Sequence, residues 1–158
     1  MKIVWIILTL IVMGNAMSEE KSGVIGTITE DGNPVIYAFD NQLPPKEITE
    51  QLGWLTVISW KYDASTNNGM PEHDVNERMI ELEDALSEEF YQSSNSKWVY
   101  NRTGNGLNEF SYYIDQRDLF IEQLNFVLES HPAYPIEINF YEDPEWSDFK
   151  QLLADFSK

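Results

Sequence analysis

The chain contains no cysteine. That absence excludes a disulfide framework, a thiol nucleophile and a thiolate metal site, so the core alone must hold the fold. Basic residues are scarce: ten Lys and Arg stand against 27 Asp and Glu, a formal net charge of -17, and the cations are scattered singly. DNA or RNA would be repelled from such a surface, which excludes nucleic acid as a partner. There are only two histidines, His73 and His131, so a histidine-based zinc site would need both. No GxSxG elbow or SxxK pair surrounds Ser87, Ser111 or Ser147. Gly104 and Gly106 lack the strand-to-helix setting of a phosphate loop. Long hydrophobic runs are missing too, since the apolar stretch from Ile3 to Met13 is too short for a comfortable membrane span.

What is present begins with a targeting pattern. Lys2, the apolar run, Gly14 and Ala16, then an acidic stretch, have the layout of a secretory signal peptide cleaved after Ala16. The expected location is therefore periplasmic or secreted, with an uncleaved N-terminal membrane anchor as the alternative. Residues 17–33 read as a leader and the first strand of a hairpin, and 34–158 as a single α+β domain. The 158 residues leave room for one domain with a sizeable core, and not comfortably for two.

Local patterns supply the elements. GVIGTITEDGNPVIYAFD reads as a hairpin, two β-branched runs flanking EDGNP, a cluster of turn formers. NQLPPKEITEQ reads as a connector, because Pro44 and Pro45 forbid regular pairing. In LGWLTVISWKYD, Trp54, Thr56, Ile58, Trp60 and Tyr62 alternate with Leu55, Val57, Ser59 and Lys61, the period of a strand. From Pro71 to about Gln92 the period becomes helical, with Val75, Met79, Leu82, Leu86 and Phe90 on one stripe. A second hairpin turns at Gly104–Asn105–Gly106, and Asp115 is placed to cap the helix that carries Phe120, Leu124, Val127 and Leu128. YPIEINFYED is a last strand, and residues 145–157 form a last helix. From Trp54 onward this order predicts a ferredoxin-like βαββαβ sandwich of α+β class, with an N-terminal β-hairpin and an extra C-terminal helix.

The segments NGMPE, LEDAL, the hairpin around RTGNG with FSYYID, and HPAYPIEI leading into EDPEW carry a resemblance. In order and spacing they resemble the bacterial domain-of-unknown-function family 695, from about residue 34 to the end. That family has no established activity, so the resemblance implies no catalytic residue. A fainter similarity, in small α+β architecture and acidity, links the chain to the acidic regulator family that inhibits ribonuclease E.

Three constellations are candidates for function. FYEDPEWSDF, residues 140–149, crowds carboxylates and aromatics together. Its bland reading is a helix start: Asp143 accepts first-turn N–H groups, Pro144 opens the helix and Glu145 sits against the positive end of its dipole. Its sharper reading is a cation site using Glu142, Asp143 and Glu145, which would need further oxygens, because calcium takes six to eight. Glu77, Glu81, Asp84 and Glu88 form an acidic stripe on the first long helix. That stripe is either a solvated face or a docking surface for a basic partner. Asp74 and Arg78 are spaced as a compensating pair. Trp60, Trp98, Tyr100 and Tyr113 are either core or an aromatic binding face on an open side of the sheet. Asn101–Arg102–Thr103 fits a glycosylation sequon but lies inside a strand.

Negative charge without a catalytic constellation points to an exported, non-enzymatic binding module. It would recognise a protein partner, an inhibited or neutralised basic protein being one form. No cofactor is expected. A cation-dependent hydrolase or calcium-binding protein using the 142–145 carboxylates is the alternative, and a structural envelope protein the third reading.

Overall fold

A computed structural model describes residues 23–158. The signal-peptide and anchor readings fall on residues 1–22, outside the described residues. In chain order the elements are β1 (Gly23–Glu30), β2 (Asn33–Asp40), α1 (Lys46–Gln51), β3 (Trp54–Lys61), α2 (His73–Phe90), β4 (Ser96–Gly104), β5 (Leu107–Ile114), α3 (Arg117–Leu128), β6 (Ile136–Glu142) and α4 (Ser147–Phe156). A short 3-10 turn, Asn67–Gly69, lies between β3 and α2.

The six strands form one open antiparallel sheet in the order β1-β2-β4-β5-β3-β6. Both tight hairpins have the turns their sequences demand. Asp31 and Gly32 have φ of 51° and 81°, and Asn105 and Gly106 have 51° and 79°. Positive φ at both central positions is the type I′ hairpin turn, which favours Asp-Gly and Asn-Gly because its twist matches that of the strands. The N-terminal hairpin extends the sheet, with β2 pairing β4 from Val35–Gly104 to Phe39–Tyr100.

Each face of the sheet has its own core. On one, Met79, Leu82, Leu86 and Phe90 of α2 and Phe120 and Leu124 of α3 pack on Ile58, Trp60, Phe110, Tyr112 and Ile114. On the other, Trp146 and Phe149 meet Phe39, Leu52, Leu55, Val57, Val99, Tyr100 and Tyr113, with Leu153 and Phe156 at the margin. Full burial of each such side chain is worth ~1.5–3 kcal/mol, so both layers are needed for a stable domain.

Three local expectations are corrected. The connector after Pro45 contains α1, whose first amides at Ile48 and Thr49 bond to the Pro45 carbonyl. α2 begins at His73 with Glu72 as its N-cap, so Pro71 lies outside it. α3 has Gln116 as its N-cap, not Asp115, and that cap makes no side-chain hydrogen bond.

A bulge in β4 decides which way its aromatics face. The β4–β5 register shifts between Trp98 and Tyr100, at Val99. The extra residue breaks strict alternation. Trp98 therefore packs on the α2/α3 core, whereas Val99 and Tyr100 both join the α4 core.

Candidate functional site

The last strand-to-helix junction is built around Asp143. Its carboxylate accepts the Tyr113 hydroxyl (2.6 Å) and the backbone amides of Ser147 (2.8 Å) and Asp148 (3.0 Å). Burial acts to raise its pKa, but hydrogen bonds from Tyr113, Asp148 and Ser147 outweigh it and hold the carboxyl below its ordinary range. Asp143 thus supplies the helix-start bonds expected of it. Pro144 and Glu145 do not start the helix, however. They lie in a turn closed by the Trp146 amide on the Asp143 carbonyl (3.0 Å), and α4 follows with Trp146 as its left-handed N-cap (φ 56°). The acid in the first helical turn is Asp148.

Trp146 fixes that turn. It is fully buried, stacks on Tyr113 at 3.8 Å between centroids, and donates its indole N–H to the carbonyls of Leu52 (2.8 Å) and Thr49 (3.1 Å). α4 is thereby anchored over one end of the sheet. Among the described residues, the α4 core does not include Ser59, Glu109, Arg102 or Glu137 at the other end of the same face.

That end of the face is crossed by a polar rung. Register aligns Tyr37 with Arg102, Arg102 with Glu109, Glu109 with Ser59, and Ser59 with Glu137, one residue from each of five strands. Between the rung and the start of α4 lies a cleft of about 550 Å³, lined by Ser59, Tyr100, Glu109, Glu142, Asp143 and Asp148 among others. Tyr100 donates to Asp148 at 2.9 Å, so strand floor and helix wall are joined.

The electrostatics of the cleft are unbalanced. Arg102 is the cation that acts on Glu109, but it is committed to Glu30 and to the carbonyls of Gly104 (3.2 Å) and Leu107 (3.4 Å). Burial raises the Glu109 pKa; Arg102 opposes this and Asp148 adds to it. Asp148 is raised too, by desolvation of its carboxyl against the strand floor although the residue as a whole is exposed, with the Tyr100 hydrogen bond opposing and Asp143 reinforcing. Burial and the neighbouring Asp148 push Tyr100 far up, so its hydroxyl stays protonated. The cleft therefore holds two carboxylates destabilised in their charged form, beside hydroxyl groups that can donate or accept. Such an arrangement favours an incoming cation or a hydrogen-bond donor.

The sequence-derived candidates are distributed as follows. Glu77, Glu81, Asp84 and Glu88 are all exposed along α2, on the far side of the sheet from the cleft. Arg78 does not pair with Asp74; it donates to the Ala133 carbonyl (3.0 Å) and lies over the rings of Trp60 and Tyr134. Trp60 and Tyr113 are 3% and 0% exposed and lie in different cores, so neither offers a surface for docking. Trp98 is part-buried on the α2/α3 side, its indole bonded to Asn101 (2.8 Å). Tyr100 alone of the four reaches the cleft. Glu142 and Asp143 line the cleft, but Glu145 borders a separate depression with Lys46, Glu50 and Lys150. The three do not converge, and among the described residues no group of three or more potential ligands could hold a metal ion. Asn101 of the sequon is buried and donates to Glu83 (2.8 Å). His131 bonds the Tyr134 hydroxyl (2.9 Å).

Glu109 and Asp148 were not singled out by the sequence reading. Glu109 carries one legible signal: by strand alternation it shares a face with Ser111 and Tyr113, both buried. Asp148 has none, because its partner Tyr100 lies 48 residues away.

No helix among the described residues is long and apolar enough to cross a membrane. The model of a family described as "Family of unknown function (DUF695)" matches residues 25–154. No curated protein and no solved structure matches the chain. The fainter likeness to the ribonuclease E inhibitors is not supported.

Proposed function

Since the chain belongs to the family of unknown function DUF695, whose description assigns no chemistry, we propose a function from the site itself: an exported, non-enzymatic module that binds a basic protein partner. The cleft beside the polar rung receives a lysine or arginine side chain of that partner. The observation that carries this reading is Glu109, a part-buried carboxylate whose neighbouring cation is already committed to Glu30. An ammonium or guanidinium entering the cleft would offset the repulsion between Glu109 and Asp148 and donate hydrogen bonds to both. The exposed stripe of Glu77, Glu81, Asp84 and Glu88 would add long-range attraction, which speeds encounter more than it tightens binding. The βαββαβ core, with strand order β4-β5-β3-β6 and α2 and α3 on one face, supports a ferredoxin-like ancestry for the scaffold.

Titration calorimetry with oligolysine and oligoarginine peptides, at low and high salt, tests the reading. Binding should weaken as salt rises. Glu109→Gln with Asp148→Asn should abolish it, whereas neutralising the α2 stripe should only slow association. A peptide affinity indifferent to the cleft substitutions would sink this version. Heat released on adding calcium, magnesium or zinc and lost on Glu142→Gln would instead favour the cation-dependent alternative. Constitutive envelope association with no peptide binding would favour a structural role.

A further inference from the structure

Among the described residues, β1 is an edge strand whose single sheet neighbour is β2. Edge strands expose a row of unpaired backbone N–H and C=O groups, and proteins normally blunt them with Lys, Pro, bulges or brevity. β1 has none of these. It runs eight residues, GVIGTITE, in unbroken register with β2, and its one charged residue is the terminal Glu30. The opposite edge, β6, carries Glu137 and Glu142 within seven residues. Ile25 is 75% exposed, and Val24 and Ile28 are also open to solvent.

The turn fixes which groups are free. In a two-residue type I′ hairpin the closing pair, here Glu30 and Asn33, exchanges both ladder hydrogen bonds. Counting back along the strand, Ile28, Gly26 and Val24 also direct their backbone groups to β2. Gly23, Ile25, Thr27 and Thr29 direct theirs to the edge that no described strand pairs.

We propose that this edge pairs with β1 of a second copy, antiparallel, about a two-fold axis through Gly26. A two-fold axis perpendicular to the sheet pairs residues that face the same side, so it must pass at a residue. Centred on Gly26, it aligns Gly23 with Thr29 and Ile25 with Thr27, each pair occurring twice. All four outward residues of one copy then meet outward residues of the other, and Glu30 falls beyond the last pair. Centred on Thr27, the pairing would lose one such pair and bring Glu30 opposite Val24. Gly26 also suits the axis, where two backbones pass ~4.5 Å apart as a non-hydrogen-bonded pair. The Phe156 ring above it leans toward Tyr37 and Phe39 of β2, away from the open edge.

Charge selects a second copy as the occupant. Across a chain of net charge -17, residues 23–29 are neutral, so two copies can meet there without facing carboxylates. The strand is also complementary to itself in the register that uses every free backbone group, as an isologous interface requires. The product is one continuous sheet across both copies.

Sedimentation equilibrium of the purified protein over a range of concentrations tests this. The expected result is a rise from protomer mass to twice that mass. The dimer should tighten with salt, because screening relieves like-charge repulsion; that is the opposite of the salt response expected for a basic partner in the cleft. Thr27→Pro removes an outward N–H that β2 does not use, and Ile25→Glu sets a carboxylate on the pairing edge. Each should return the protein to protomer mass with an unchanged melting temperature at low concentration. If Thr27→Pro fails to fold, Ile25→Glu decides alone. Protomer mass at every concentration overturns the proposal, and so does a dimer that survives Ile25→Glu.

Discussion

Removing the Asp143 carboxylate should cost the domain about 3 kcal/mol, and the sum can be built contact by contact. The Tyr113 hydroxyl bond at 2.6 Å is charge-assisted and made by a fully buried ring, which places it at ~1.5–3 kcal/mol. The Ser147 and Asp148 amides are exposed, so these two cap bonds together add only ~1 kcal/mol. Against a total stability of roughly 5–15 kcal/mol the loss is large, and for a domain of this size it lowers the melting temperature by roughly 10 °C. The pH dependence has a definite sign. The folded pKa lies below the ordinary value, so the carboxylate's contribution is complete above the unfolded value, ~3.9, and disappears as pH falls through the lower folded one. Thermal melts of the wild type, Asp143→Ala and Asp143→Asn from neutral into acid would measure both effects. Asparagine keeps one acceptor and loses the charge, so its loss should be intermediate and its acid limb shallower. An alanine variant within ~1 kcal/mol of wild type at neutral pH would refute the reasoning. So would an asparagine variant with the full acid limb.

Two further outcomes follow from close contacts and burial. A Cβ on Gly26 would run into the Phe156 ring, so Gly26→Ala should cost ~1–3 kcal/mol in chemical denaturation. Adding Phe156→Leu should return part of that, and strictly additive losses would show that the ring is not the obstacle. Glu109 has a folded pKa above its ordinary value, so the folded state binds the extra proton and stability falls as pH rises through that window. Glu109→Gln should therefore melt above the wild type at neutral pH and converge with it in acid; a lower melting temperature at neutral pH would contradict the burial account.

What could be read from sequence was whatever a short window contains. The Asp31–Gly32 and Asn105–Gly106 turns, the α2 stripe ending at Phe90 and the amide-accepting role of Asp143 all depend on neighbours a few positions apart. α1 escaped notice because six residues behind two prolines are too few to show a helical period. Trp98 and Tyr100 look like companions by alternation, but Val99 adds a residue to the strand and sends them to opposite faces. The cleft was hidden for a different reason. Ser59, Tyr100, Glu109 and Asp148 come from four elements and meet only through register and the packing of α4. Of the four aromatics, Trp60 and Tyr113 take the core reading, on opposite faces: Trp60 under α2 and α3, Tyr113 under Trp146.

The bond from the Trp146 indole to the backbone of Thr49 and Leu52 spans 97 and 94 residues of chain. β3 likewise has as its neighbours only β5 and β6, both of which follow it in sequence. A chain made from its N-terminus onward can thus form hairpins and α2 early, yet it cannot close its second core until Trp146 and α4 are available. Loop-closure entropy falls due before those distant contacts repay it, which makes consolidation slow and late.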